Sequence, residues 1–179
     1  TDDRILDFRS FNWMSAQVLS ALGMLSVGAT LLLARKFSSS KFFDWIKDFN
    51  ATIAAGNPTT INMLINRPVD IRGKDIPHLR FITSSSAPLL MQDWQNFENL
   101  YEIEISQGYG SSETGWIAGS HENSRCRGSV GKPLPYQNLS VVDQDGKTLP
   151  VNDIGDIELG PSDKSEFKYL GEDGRKIIS

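Results

Sequence analysis

The sequence predicts an α/β fold: a largely parallel sheet flanked by helices, followed by a small antiparallel β subdomain. Short apolar runs typical of buried strands alternate with segments of helical periodicity through residue 124. From residue 125 the chain becomes rich in glycine and proline, and two short strand patterns follow. We therefore predict two regions: residues 1–124 form an α/β subdomain, and residues 125–179 form an antiparallel, barrel-like portion that is truncated.

The composition is that of an ordinary globular protein, with 179 residues, 39% of them hydrophobic and 22% charged. The 18 basic and 22 acidic residues give a net charge of −4 without any basic run, so nucleic acid is not an expected partner. A single cysteine, Cys126, excludes an internal disulfide and a cysteine-rich zinc site. We expect a cytoplasmic location.

The stretch from Ser10 to Ala34 carries no charge and is long enough to cross a bilayer. Polar residues are scattered through it, so we predict no transmembrane segment but a helix followed by a strand. The helix presents one apolar face, which includes Trp13, and we expect this tryptophan to lie in the core. The strand, Leu31–Leu33, reads as one buried on both faces.

The middle of the chain continues the alternation of strands and helices. Serines at 38–40 offer an N-cap for a helix, and Asn57–Pro58 is a typical helix start. Pro88 is expected to open a further helix, whose buried face includes Trp94. Further strands are predicted at 52–55, 79–83, 101–106, 139–142 and 154–159, with a turn at 143–146 between the last two.

Two polar loops follow neighbouring predicted strands, Ser84–Pro88 and Gln107–Gly115. Ligands bind beyond the carboxyl ends of parallel strands, so we expect the two loops to lie side by side and form a site. The second loop contains three glycines, two serines and a glutamate, which suit phosphate oxygens and their magnesium ion. The same pattern is compatible with a polar loop that caps a helix, with Ser111 or Ser112 as N-cap.

Three motifs, in order, resemble those of the AMP-forming acyl-CoA synthetases, which belong to the adenylate-forming superfamily. Tyr109–Glu113 is similar to the Tyr-Gly-x-Thr-Glu motif of that family, and Ser84–Leu89 is similar to its Ser-Gly-Ala-Ala-Pro-Leu motif. Gly128–Pro133 is the third, with Asp145–Gly146 and Gly155–Ile157 following in the expected order. The resemblance covers essentially the whole chain and implies an internal part of the family's large N-terminal domain.

The family's reaction joins a carboxylic acid to the α-phosphate of ATP and then passes the acyl group to a thiol, usually that of coenzyme A. The resemblance therefore implies ATP, Mg²⁺ and coenzyme A as cofactors or co-substrates. It implies catalytic roles for Ser112 and Glu113, with Glu113 also holding the metal, and places Gln107 and Gly108 beside the acyl group. It implies nucleotide binding, with Tyr109 stacked on adenine, by Ser85, Ser86, Ala87, Pro88, Tyr109, Gly110, Ser111 and Ser112.

Some features depart from the family pattern. Ser85 stands where the family has glycine, Asp156 replaces a glutamate, and no histidine aligns near residues 9–13. The family's phosphate loop with its lysine, its ribose-binding aspartate and its carboxy-terminal domain find no counterpart in these 179 residues. The isolated chain is therefore expected to be an inactive fragment.

Two other functions compete with the ligase hypothesis: a non-catalytic, ligase-like binding module and part of a peptide synthetase adenylation domain. The presence of Tyr109, Ser112 and Glu113 favours an enzyme. No carboxylate is convincingly placed to bind the amine of an amino acid, which argues against the peptide synthetase. The uncharged stretch 10–34 favours an apolar pocket, and hence a fatty or aromatic acid.

Overall fold

The computed structural model describes residues 1–120, 125–160, 169–170 and 176–177. These residues divide into two compact units, residues 1–132 and residues 133–179. No helix within the described residues is long and apolar enough to span a membrane.

A seven-stranded sheet organises the first unit, with strand order β2-β1-β3-β4-β5-β6-β7. The first five strands along that order are parallel, while β5 and β6 form an antiparallel pair. The strands are β1 (Arg4–Asp7), β2 (Thr30–Leu33), β3 (Ile53–Ala54), β4 (Phe81–Ser84), β5 (Ile105–Ser111), β6 (Gly115–Gly119) and β7 (Lys132–Pro133). The prediction of a largely parallel sheet is confirmed.

Helices connect the parallel strands. A π-helix at Ser15–Leu22 continues into one α-helical turn at Gly23–Ser26, and these link β1 to β2. α-Helices follow at Phe42–Asp48, Pro58–Asn66 and Met91–Tyr101, and a short 3₁₀ helix lies at Gly73–Asp75.

The core lies around the central strands and the last two α-helices. Trp94, Phe97 and Tyr101 are completely buried there, together with Ile61 and Leu64. The Tyr101 hydroxyl donates to the Leu64 carbonyl at 2.8 Å, which joins the two helices and satisfies a buried polar group. The predicted start of the earlier helix is confirmed, because the Asn57 side chain accepts from the Thr60 amide at 2.9 Å.

The first 33 residues differ from the prediction in three ways. Strand β1 was not predicted, because its four residues include a charge at each end. Strand β2 is not buried on both faces: it is the edge strand, and Leu33 is 61% exposed. Trp13 is 68% exposed rather than part of the core, since no described element covers it.

Three predicted boundaries are wrong. The predicted strand at 101–106 begins only at Ile105, because the preceding helix runs through Tyr101 and ends with Glu102 in the left-handed conformation (φ 54°). Pro88 does not open that helix, which starts at Met91. The serines at 38–40 do not cap the helix Phe42–Asp48, whose N-cap is Lys41 without a side-chain hydrogen bond.

The second unit contains two small antiparallel pairs. β8 (Leu139–Val142) pairs with β9 (Asp156–Leu159), and β10 (Tyr169–Leu170) pairs with β11 (Lys176–Ile177). The predicted turn at 143–146 is present, with the Gly146 amide donating to the Asp143 carbonyl at 3.0 Å. The predicted small antiparallel region is therefore confirmed.

Candidate functional site

The carboxyl ends of β4 and β5 lie next to each other. The two strands are parallel, and Ser84 at the end of β4 pairs with Gln107 in β5. This pairing confirms the prediction that the residues after Ser84 and those around Gln107–Gly115 lie side by side.

The segment that contains the Tyr-Gly-Ser-Ser-Glu motif is a β-hairpin rather than a loop. Strand β5 continues through Ser111, residues 112–114 form the turn, and β6 returns antiparallel from Gly115. The alternative in which Ser111 or Ser112 caps a helix is wrong, because a strand follows instead.

Glycines allow the two arms of this hairpin to pack closely. A Cβ at Gly110 would lie 2.1 Å from the Gly115 carbonyl oxygen, so only glycine fits between the arms. A Cβ at Gly108 would lie 3.0 Å from the Trp116 ring, so the indole fills the space that this glycine leaves.

Ser111 organises the turn of the hairpin. Its hydroxyl oxygen accepts from the amides of Glu113 at 3.2 Å and Thr114 at 3.3 Å, an arrangement typical of serine in turns. The Ser111 side chain also lowers the pKa of the Glu113 carboxyl by hydrogen bonding to it. Glu113 lies in the turn at the tip of the hairpin, where this hydrogen bond favours the charged form of its carboxyl.

The loop after β4 places one buried and one strained serine at the site. Ser85 is buried, so the side chain that it adds relative to the family's glycine is accommodated within the fold. Ser86 has a φ of 73°, a left-handed conformation that costs a residue with a Cβ about 1–2 kcal/mol. Such outliers cluster at functional sites.

Two buried polar atoms, one at the end of β4 and one within β5, have no hydrogen-bond partner among the described residues. They are Ser84 Oγ and Gln107 Oε1, on two paired residues that lie on the same face of the sheet. Unpaired buried atoms of this kind are costly, and a ligand or water that donates hydrogen bonds would satisfy them.

A pocket of about 220 Å³ lies between the β4 loop, the hairpin and the segment that precedes the π-helix. It brings together four of the residues predicted to bind nucleotide: Ser86, Gly110, Ser111 and Ser112. Its remaining lining residues are Trp13, Met14, Ser15, Gly115 and Trp116.

The other predicted site residues are not among those that line this pocket. Ser85 and Gln107 are buried, Ala87 and Pro88 are exposed, Tyr109 is partly exposed and Glu113 lies in the turn; Gly108 is partly buried under Trp116. The described residues contain no group of three or more side chains of the types His, Cys, Asp and Glu that could hold a metal. Glu113 would therefore contribute a single carboxylate to any cation.

Trp13, Met14 and Ser15 line the pocket but were not predicted as site residues. They follow β1, a parallel strand whose carboxyl end lies at the same edge of the sheet as that of β4. Recognition of Arg4–Asp7 as a strand would have placed them at the site.

The fold and site define a class of protein: an α/β protein with a glycine- and hydroxyl-rich pocket at the carboxyl ends of parallel strands. Residues 1–160 match the family described as AMP-binding enzyme, and the chain belongs to this family.

Curated relatives include acyl-CoA synthetases and CoA ligases. The chain is 29% identical over 125 residues to Acyl-coenzyme A synthetase ACSM3, mitochondrial, of Rattus norvegicus, covering 69% of this chain and 21% of that protein. It is 32% identical over 149 residues to Probable CoA ligase CCL5 of Humulus lupulus, covering 79% of this chain and 27% of that protein. The chain thus spans less than a third of either relative.

Solved structures share the fold. ATP-bound MatB from Rhodopseudomonas palustris has a TM-score of 0.83 at 24% identity, covering 99% of this chain and 40% of the other. An acyl-CoA synthetase from Brucella canis has a TM-score of 0.78 at 25% identity, covering 88% of this chain and 30% of the other.

Proposed function

We propose that this chain is the nucleotide- and acid-binding part of an ATP-dependent, AMP-forming acid–CoA ligase. The main observation in support is that one pocket is lined both by Ser86, in the strained loop after β4, and by Ser111 and Ser112 of the hairpin. Membership of the AMP-binding family and the acyl-CoA synthetases among the relatives support this proposal.

The polar residues of the site suit a nucleotide. Ser112 donates a hydroxyl hydrogen to the α-phosphate, and Tyr109, which is partly exposed, stacks on adenine. The backbone around Ser85, Ser86 and Ala87 lines the edge of adenine, with Pro88 next to it and with Gly110 and Ser111 beside the phosphates.

Glu113 suits Mg²⁺. The ion typically takes only one or two protein carboxylates together with phosphate oxygens and water, and Glu113 supplies one ionised, accessible carboxylate. When bound, Mg²⁺ neutralises charge on the phosphates. The residues of this chain act by ordering the backbone of the turn, where Ser111 accepts from the Glu113 amide at 3.2 Å.

The acid is proposed to be aromatic or fatty. Trp13, Met14 and Trp116 give the pocket apolar walls, and none of the described residues that line it is charged. Gln107 and Gly108 lie on the acyl side, where the Trp116 ring over Gly108 would limit the size of the acyl group. We propose coenzyme A as the thiol acceptor and a cytoplasmic location for the protein.

Calorimetric titration with hydrolysis-resistant benzoyl-adenylate and octanoyl-adenylate analogues, in the presence of Mg²⁺, tests this proposal. We expect the wild-type chain to bind at least one analogue and Tyr109→Ala to weaken binding about tenfold, the loss expected for one base–aromatic stack. Tyr136→Ala, the same substitution at an exposed tyrosine that does not line the pocket, should bind like the wild type. Equal binding by the Tyr109→Ala variant would contradict the adenine-stacking role, and no binding by any variant would leave the chain as a non-catalytic scaffold.

A further inference from the structure

A buried ion pair at the end of β1 has no role in the proposed function. Asp7 is completely buried. Arg9 donates two hydrogen bonds to its carboxylate: Nε lies 3.0 Å from Oδ1, and Nη2 lies 2.7 Å from Oδ2. The Arg9 amide also donates to Asp7 Oδ1 at 2.8 Å. The planar guanidinium is thereby held in one orientation.

Arg9 reaches beyond this pair to the π-helix. Its Nη2 donates to Ser20 Oγ at 2.7 Å and lies 3.5 Å from the Ser15 carbonyl oxygen. Ser20 is buried, so its contact with the guanidinium is shielded from water. π-Helical segments are rare and occur often at functional sites.

Several apolar side chains described for this helical segment lie in solvent. Val18, Leu22 and Leu25 are all exposed, whereas Ala16 and Ser20 are buried and lie one turn apart on the same face. A small apolar side chain and a hydroxyl thus face the sheet. The hydrogen bond from Arg9 to Ser20 therefore gives the buried face of this segment a polar anchor.

The segment anchored in this way forms one wall of the pocket. Trp13, Met14 and Ser15 line it, and the Trp13 carbonyl accepts from the amides of Ala16 at 3.0 Å and Gln17 at 3.2 Å. The wall is hydrogen-bonded to the helix, so a shift of the helix would shift the wall.

We propose that Arg9 is a positioning residue: held by Asp7, it clamps the π-helix at Ser20 and so sets the Trp13–Ser15 wall of the pocket. The effect of the clamp on ligand affinity rests on the proposed function, but its effect on Trp13 does not.

The test uses the chain labelled with 5-fluorotryptophan, which gives four ¹⁹F resonances for its four tryptophans. Each resonance is assigned by replacing one tryptophan with phenylalanine. Ser20→Ala removes the link to the helix and leaves the ion pair in place, while Arg9→Lys keeps the charge beside Asp7 but lacks the planar fork. Ser26→Ala is the matched control: it removes an exposed serine hydroxyl, which donates to the Gly23 carbonyl, just beyond the π-helix.

We expect Ser20→Ala and Arg9→Lys to shift or broaden the Trp13 resonance, while Ser26→Ala leaves it unchanged. The resonance of the buried Trp94 should stay the same in all three variants and report that the core is folded. Affinity for the benzoyl-adenylate analogue should fall about tenfold in the first two variants, the effect of losing a hydrogen bond to a charged group.

An unchanged Trp13 resonance in both variants, with Trp94 intact, would overturn the clamp. If the wild type binds no analogue, the proposed function fails for this chain, and the Trp13 resonance alone decides whether the clamp exists. A merely structural ion pair would lower thermal stability without moving Trp13 in the folded protein.

Discussion

Two helical segments of this chain have similar amphipathic sequences but differ in the burial of their large apolar side chains. In the helix Met91–Tyr101, the apolar positions Trp94 and Phe97 are completely buried. In the segment around the π-helix Ser15–Leu22, Trp13 and Leu22 lie mostly in solvent. Periodicity identifies which face of a helix is apolar, but the neighbouring elements decide whether that face is covered.

The two segments sit at different positions relative to the sheet. Met91–Tyr101 packs with Pro58–Asn66 against the central strands, whereas the π-helix connects β1 to the edge strand β2. Each segment carries a buried carboxylate nearby, Glu98 in the first and Asp7 beside the second, and each carboxylate binds arginine. The packed helix thus combines apolar burial with polar anchoring, and in the more exposed segment the Asp7-bound Arg9 anchors the buried Ser20.

The largest expected difference concerns the tryptophans. Trp94→Ala should lower the free energy of unfolding by about 4 kcal/mol, because it leaves a cavity in the core. Trp13→Ala should lower it by less than about 1 kcal/mol, because the ring is exposed. Urea denaturation of both variants measures this difference, and equal losses would show that Trp13 is covered in solution.

The next prediction compares the stability cost of neutralising two carboxylates, the buried Glu98 and the exposed Glu104. Glu98 accepts hydrogen bonds from Trp94 Nε1 at 2.8 Å, the Ile105 amide at 2.9 Å and Arg127 Nε at 2.7 Å, and it also binds Arg125. Glu98→Gln removes the charge that these donors surround and should cost about 2 kcal/mol.

Glu104→Gln is the matched control for that substitution. The Glu104 side chain is exposed and lies 4.0 Å from Arg125, so its loss should cost less than about 0.5 kcal/mol. Thermal and urea unfolding of the two variants report the difference. A Glu98→Gln variant as stable as the wild type would mean that the buried network contributes nothing beyond packing.

The smallest effect is expected at the exposed tip of the hairpin. The Ser111 side chain lowers the pKa of Glu113, so Ser111→Ala should raise that pKa toward its ordinary value. A carboxyl with a lowered folded-state pKa contributes stability above its unfolded pKa, and this contribution is lost as the pH falls through the folded pKa. NMR titration of the Glu113 side chain measures the change. Ser112→Ala should leave the pKa unaltered, and an equal rise in that variant would show that the turn as a whole, not Ser111, is responsible.

Much of the site could be predicted from sequence because its motifs are local. The strand-end segments after Ser84 and around Tyr109–Glu113 are contiguous in the chain, and their adjacency follows from the parallel order of β4 and β5. The hairpin was missed because glycines and serines suit a tight turn between strands as well as a loop before a helix.

The sequence by itself determined the α/β class, the order of most strands and helices, and the family motifs, since alternation and short motifs depend on neighbours in the chain. Only the tertiary structure decided that Arg4–Asp7 is a strand, that Trp13 lies at the pocket rather than in the core, and that Arg9 joins Asp7 to Ser20. These features depend on contacts between segments that local periodicity does not encode. A strand with charged ends forms when its carboxylate finds a buried partner, and an apolar residue stays exposed when no element packs over it.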